Sequence, residues 1–263
     1  MELRIRLFII LLLISTISYS SQNDKNRSTP TQTTVDANWK NFPYPKINFK
    51  NETLNGNGAL YKKLIPNPEA FIQQTCLEVC QFLYPSVDKI KRIDEINYKV
   101  HDYKGVSGKD GSAPVINISF SSSYLKDISK KMTKEEMLAE IKGVLVHEIT
   151  HGYQPEPKGI GTYFTNKEFY SFIEGEADAV RIKAGLVPMS ARKPGGSWMD
   201  GYKTTGFFIN WLETKEENFM LKLNATCNVL DKWGWEKVAQ IFFNKSIEEL
   251  WQEYQDVLLK ENK

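Results

Sequence analysis

A chain of 263 residues with 41% hydrophobic, 12% aromatic and 25% charged residues has the make-up of an ordinary soluble globular protein, with apolar side chains enough for one large domain or two small ones. Its formal net charge of +2 is too slight a bias to argue for nucleic acid or an anionic membrane surface as partner.

The first stretch differs from the rest. Arg4 and Arg6 precede the apolar run from Leu7 to Ile14, and mostly small polar residues follow from Ser15 to Ser21. A basic start, a short apolar run and small residues predict a secretory signal peptide over residues 1–20. The run is too short to span a bilayer comfortably, and no later stretch is long and apolar enough. No Cys stands at the expected cleavage point, which argues against a bacterial lipid anchor. The expected location is therefore extracellular, or periplasmic in a bacterium, with no membrane attachment once the signal is removed. Removal takes away Glu2, Arg4 and Arg6 and leaves the chain almost neutral. Of the three cysteines, Cys76, Cys80 and Cys227, at least one stays unpaired. Either of the first two reaching Cys227, or all three as buried thiols, fits a secreted chain. A Cys-based zinc site is disfavoured, because no second Cys pair exists. Asn-x-Ser/Thr sequons occur at Asn26, Asn51, Asn117, Asn224 and Asn244.

Residues 21–38, rich in Ser, Thr, Asn and Gln, read as a disordered lead-in. A single domain is expected over residues 39–260, opening with an extended, Pro-flanked segment at Phe42-Pro43-Tyr44-Pro45. Ala70, Phe71, Cys76, Val79, Cys80 and Leu83 recur near a 3.6-residue period and predict a helix over 67–84. Strands are expected at 94–103 and 114–121, the second on its alternation of Ile116, Ile118 and Phe120 with Val115, Asn117 and Ser119. Gly-Lys-Asp-Gly at 108–111 reads as the turn before it. A helix is expected over 134–152, started by a capping box of Thr133 and Glu136 and ended by Gly152. The next is expected over 166–185, capped by Thr165 and Glu168. A third helix is placed near 203–223, with two more over 231–243 and 246–260, the last capped by Ser246 and Glu249. Strands gather early and helices late, so the expected fold class is α+β.

His147-Glu148-Ile149-Thr150-His151 falls inside the predicted helix. Two His four residues apart project from one face, with Cβ atoms about 5–6 Å apart. That spacing lets both imidazoles reach one Zn2+ at about 2.0–2.1 Å. Glu148 points about 100° round the helix. From there it would not ligate but could take a proton from a bound water. A catalytic zinc needs a third protein ligand and an open position. In glutamate-type zincins a Glu on the next helix supplies it, and an acid four residues later orients a motif His. Glu174 and Asp178 fit that pair of roles. Glu176 is the rival ligand, and it lacks an acid four residues on.

The chain resembles the basic secretory protein family, known from plants and microbes and regarded as zinc peptidases of the gluzincin type. The likeness runs over roughly residues 45–258. It rests on Ile116-Asn117-Ile118-Ser119, on Val146-His147-Glu148-Ile149-Thr150-His151-Gly152-Tyr153-Gln154, on Phe172 to Arg181, on Gly201-Tyr202-Lys203-Thr204-Thr205-Gly206, and on the closing Leu250-Trp251-Gln252-Glu253-Tyr254. The near-neutral charge departs from the family's name. The resemblance implies a zincin-like domain, a small N-terminal mixed or antiparallel sheet packed on the metal-motif helix and a mainly helical C-terminal part.

The expected activity is zinc-dependent hydrolysis of a peptide or protein substrate, with His147, His151 and Glu174 on the metal, Asp178 behind them and Glu148 as general base. Tyr202, and after it His101, are the candidates for stabilising the oxyanion. The strand at 114–120 is expected to pair with an extended substrate as an edge strand, with Ser121 to Ser123 at its far end. The competing reading is a secreted defence-related or binding protein that keeps the scaffold with little turnover. It gives Glu148 nothing to do. Hydrolysis of a non-peptide amide is a third reading.

Overall fold

The computed structural model of the chain describes residues 37–261. The expected signal peptide, and the lead-in up to residue 36, lie outside the described residues. Among the described residues, no helix is long and apolar enough to cross a membrane.

The described chain is α+β. Its sheet has four strands, β1 (Lys46–Asn51), β2 (Glu95–His101), β3 (Ser107–Ser112) and β4 (Val115–Ser121), in the order β1-β2-β4-β3. The first three of that order run parallel and β3 is antiparallel to β4, so the sheet is mixed. Helices α1 (Gly58–Leu64) and α2 (Pro68–Leu83) fill the crossover from β1 to β2 that a parallel pair requires. Successive side chains of a strand point to opposite faces. Ile47, Ile96 and Ile116 are therefore in register and buried on one face. Asn48, Asn97 and Asn117 are in register on the other, where their amides bond in series and end on Asp110 of β3, with steps of 2.8, 2.9 and 2.5 Å. A net gain of roughly 1 kcal/mol per hydrogen bond makes that ladder a minor contributor beside the apolar face, where each buried Ile or Phe contributes roughly 1.5–3 kcal/mol.

Two features of the sheet correct the expectation. Residues 107–112 form a strand, not a turn: Ser107-Gly108-Lys109-Asp110-Gly111-Ser112 has no apolar pattern, and it is extended because β4 offers it a row of hydrogen-bonding partners. Consequently β4 is internal, flanked by β2 and β3, and has no free edge for a substrate. The free edge on that side belongs to β3.

After the short α3 (Ser122–Ile128) comes α4 (Lys134–Tyr153), opened by the expected capping box: the Thr133 hydroxyl accepts from the Glu136 amide at 3.2 Å and the Glu136 carboxylate accepts from the Thr133 amide at 2.7 Å. The helix does not end at Gly152. It runs on to Tyr153, and Gly152 instead lets it lie close to the sheet, since a Cβ there would stand 2.7 Å from Ile116 Cδ1. Helix α5 (Lys167–Lys183) is capped by Asn166, whose side chain accepts from the amides of Glu168 and Phe169 at 2.7 and 3.1 Å. The expected cap, Thr165, accepts instead from the Thr162 amide.

The expected helix over 203–223 is two helices, α6 (Tyr202–Glu213) and α7 (Phe219–Val229). The break ends at Asn218, which sits at φ 57°, a left-handed conformation that Asn tolerates better than most residues. It lets Phe219, Met220 and Leu223 turn into the core as a separate face. Helices α8 (Trp235–Phe243) and α9 (Ile247–Glu261) close the chain, and the expected Ser246–Glu249 cap is present.

Helix α4 packs against α2, α5 and β3, and α5 against α6. Gly206 of α6 stands where a Cβ would meet the α5 backbone at Ala179 N, 3.0 Å away, and Asn210 donates to the Ala179 carbonyl at 3.0 Å. An Arg181–Glu140 ion pair of 2.6 Å, completed by the Tyr124 hydroxyl at 2.7 Å, ties α5 to α4. These ties fix how the two site-bearing helices face each other. All three cysteines are buried free thiols. Burial pushes the Cys76 thiol up to about 12, so it stays protonated. Three sequons are engaged in the fold: Asn51, donating to the Gly58 carbonyl, Asn117 in the amide ladder, and Asn224, buried and donating to the Leu83 carbonyl.

Candidate functional site

His147 and His151 are one turn apart near the C-terminal end of α4, and the helical repeat aims both rings the same way. Their Nε2 atoms are 3.0 Å apart. Across from them α5 presents Glu174, whose Oε2 lies 3.2 Å from His147 Nε2 and 3.7 Å from His151 Nε2. One atom from each residue falls within 4.8 Å of the others, and this is the group among the described residues that could hold a metal ion.

The hydrogen bonds behind the rings decide what those atoms are. His147 Nδ1 lies 3.0 Å from Asp178 Oδ1, one turn beyond Glu174 on α5. A carboxylate only accepts, so Nδ1 carries the hydrogen. His151 Nδ1 lies 3.0 Å from Gln154 Oε1, and the Gln154 amide nitrogen donates to the Ile173 carbonyl at 3.2 Å, which fixes the amide's orientation. With both Nδ1 atoms donating, two neutral rings turn bare lone pairs toward each other and toward Glu174 Oε2. That oxygen is buried without a hydrogen-bond partner. Three converging acceptors repel one another unless a cation or a proton lies among them. The donor set of two imidazoles and a carboxylate is one that a divalent ion fits.

Without an ion, a proton takes that place. Burial disfavours a charged His147, but Asp178 and Glu174 outweigh it and raise its pKa to about 9. Burial and the neighbouring His147 lower His151 to about 4. Burial would raise Glu174, yet contact with His147 and His151 holds it below the usual carboxylate range. An ion entering below pH 9 must therefore displace one proton. Its apparent affinity should fall about tenfold per pH unit as pH drops from 9 to 6 and level off above 9. Competition titrations against a chromophoric chelator check this, and a flat profile would show that the site carries no proton to displace.

Glu148 is 7% exposed, and burial raises its pKa, with Glu174 adding to the effect and His147 and Ser107 opposing it. It lies where two cavities meet. One, of 590 Å3, extends past Val144, Asp178 and Arg181 to Lys203. The other, of 500 Å3, lies between β3 and the wall formed by Tyr163, Phe164, Phe169 and Ile173. Tyr202 lines both, and its ring stacks on His147 with centroids 5.8 Å apart and planes 9° apart. It sits at φ 42° after Gly201 at φ 73°, strained backbone held at the site. His101, at the end of β2, stacks on Tyr103 at 4.6 Å and lines neither cavity.

The rival Glu176 is elsewhere. Two residues turn a helix by about 200°, so its carboxyl faces away from the imidazoles into the core. There it is fully buried with both oxygens unpartnered, and burial drives its pKa well up. Gln154, Tyr163, Ser107 and Arg181 were not singled out from the sequence as site residues. Gln154 had a usable signal, its position three residues after His151 on the same face. Tyr163, in the connection between α4 and α5, had none.

Residues 44–254 match the sequence model of a family described as a peptidase of plants and bacteria. No curated protein and no solved structure matches the chain.

Proposed function

We propose that this chain, which belongs to the basic secretory protein family of peptidases, is a secreted zinc-dependent metallopeptidase of zincin-like arrangement. The observation that carries the reading is the convergence of His147, His151 and Glu174 beside a buried acid, Glu148, that ligates nothing and opens onto the cleft.

Zinc held by those three residues would supply Lewis acidity and bring the pKa of a water down towards 7. Glu148 accepts a proton from the attacking water and delivers it to the departing amine. Its burial helps, because a carboxylate with a raised pKa is a stronger base than one in water. Asp178 keeps the His147 ring in the tautomer whose Nε2 is bare. Tyr202 stands over His147 and is the candidate to donate a hydrogen bond to the oxyanion. Burial and Glu174 raise its pKa, so the hydroxyl keeps its proton at neutral pH. The free edge of β3 pairs with an extended substrate backbone, in place of the internal β4.

Phe164 is 91% exposed at the lip of the cavity beside β3. An aromatic ring so exposed at a cleft mouth is a surface for an apolar substrate side chain. Phe164→Ala should raise KM roughly fivefold, about 1 kcal/mol of lost apolar contact, with kcat and ion content nearly unchanged. Steady-state kinetics on an apolar peptide series checks this, and an unchanged KM removes Phe164 from the substrate site.

The test of the reading is cleavage of casein or a peptide library that a chelator abolishes and zinc restores. Cleavage indifferent to chelation, or none by a zinc-loaded chain, contradicts it.

A further inference from the structure

Each of the three converging side chains has a second polar atom turned away from the point of convergence, and each of those atoms is held. Asp178 takes His147 Nδ1 and Gln154 takes His151 Nδ1, both at 3.0 Å. The Tyr163 hydroxyl donates to Glu174 Oε1 at 2.7 Å. The first two partners belong to the framework that carries the ligands: Asp178 is on α5, and Gln154 is the C-terminal cap of α4, its backbone amide donating to the Thr150 carbonyl. Tyr163 comes instead from the connection of residues 155–165, between the two caps. Its ring is fixed there by an edge-on contact with Tyr170 at 5.1 Å, and Tyr170 in turn stands edge-on to Tyr202 at 6.1 Å.

A carboxylate with two free oxygens can offer a cation either one or both. Glu174 is not in that position. Oε1 is taken by the phenol, while Oε2 is buried without a hydrogen-bond partner and faces both imidazoles. We propose that Tyr163 is a positioning residue for the third ligand: its hydroxyl fixes the rotation of the Glu174 carboxylate so that a single oxygen is presented to the ion. The connecting loop thereby becomes part of the metal centre. This rests on the metallopeptidase reading, since it places an ion at the point of convergence.

Tyr163→Phe tests it, because the ring and its packing stay and only the hydroxyl goes. Zinc affinity by chelator competition, the visible spectrum of the Co2+-loaded chain and melting of the ion-free chain are measured on wild type, Tyr163→Phe and Tyr170→Phe. Outer partners of this kind are worth about 10–100-fold in metal affinity, so Tyr163→Phe should bind that much more weakly, with shifted Co2+ bands, and Tyr170→Phe within about twofold of wild type. A Tyr163→Phe chain with wild-type affinity and spectrum overturns the proposal. So does a variant that only melts earlier without its ion, the mark of a hydroxyl that merely pins the loop. A wild-type chain that takes up no ion defeats the metallopeptidase reading itself, a result separable from a wild type and a variant that bind equally.

Discussion

Glu148→Gln is expected to lower kcat/KM by about 10²–10⁴-fold, the range for a positioned general base, while ion content stays at the wild-type level. The two halves of that expectation have separate causes. Glu148 shares α4 with both histidines but is turned about 100° from His147 and about 60° from His151, and it is not in the group that could hold the ion. Losing its charge therefore leaves the ligand set intact. Glu148 is 7% exposed and lines both cavities, so removing its carboxylate takes away a buried base that opens onto the cleft and is not committed to the ion or to a ligand ring. Gln is close in shape and cannot accept the proton. Because the loss falls on the chemical step, kcat should drop with little change in KM. A Gln variant with wild-type turnover would remove Glu148 from the mechanism, and one that also lost its ion would make it a ligand.

Glu174→Ala should weaken ion binding by more than the roughly 100-fold that outer partners command, and activity should vanish with the ion. Glu176→Met is the paired comparison. The two acids are two residues apart on α5, yet Glu174 Oε2 stands 3.2 Å from a motif imidazole while Glu176 lies in the core with both oxygens unpartnered. Burial drives the Glu176 pKa well above the usual carboxylate range, which favours the uncharged form. An unbranched apolar side chain of similar length removes unpartnered polar atoms and leaves no charge unbalanced, so fold and ion binding should survive. Chelator competition on both variants decides between them. Retention by Glu174→Ala with loss by Glu176→Met would reverse the assignment.

Much of the site was legible because it is local. The Thr133 capping box, the four-residue spacing of His147 and His151 and that of Glu174 and Asp178 depend on one helical repeat, which a sequence displays directly. Their meeting across two helices followed from the family pattern and not from periodicity. One misreading is local, Thr165 taken for the α5 cap in place of Asn166, and the others concern non-local causes. Ser107–Ser112 is a strand through its pairing with β4, and its own residues signal a turn. Strand order is set by the whole sheet, so the alternation of Val115 to Phe120 could not tell an internal strand from an edge one. Helix α6 ends because Phe219 and Met220 are needed in the core, a demand that appears only once the core exists. Gly152 looked like a helix stop and is a close-packing residue against Ile116. Tyr163 reaches Glu174 from a loop whose residues have no period at all.

The most direct test is elemental analysis of the wild-type chain, purified without added metal and without chelator. One zinc ion per chain, removed by a strong chelator and regained on dialysis against zinc, is the expected result. A chain that carries no divalent ion and takes none up at micromolar zinc would contradict the account, because His147, His151 and Glu174 would then converge around a proton alone and supply no Lewis acid.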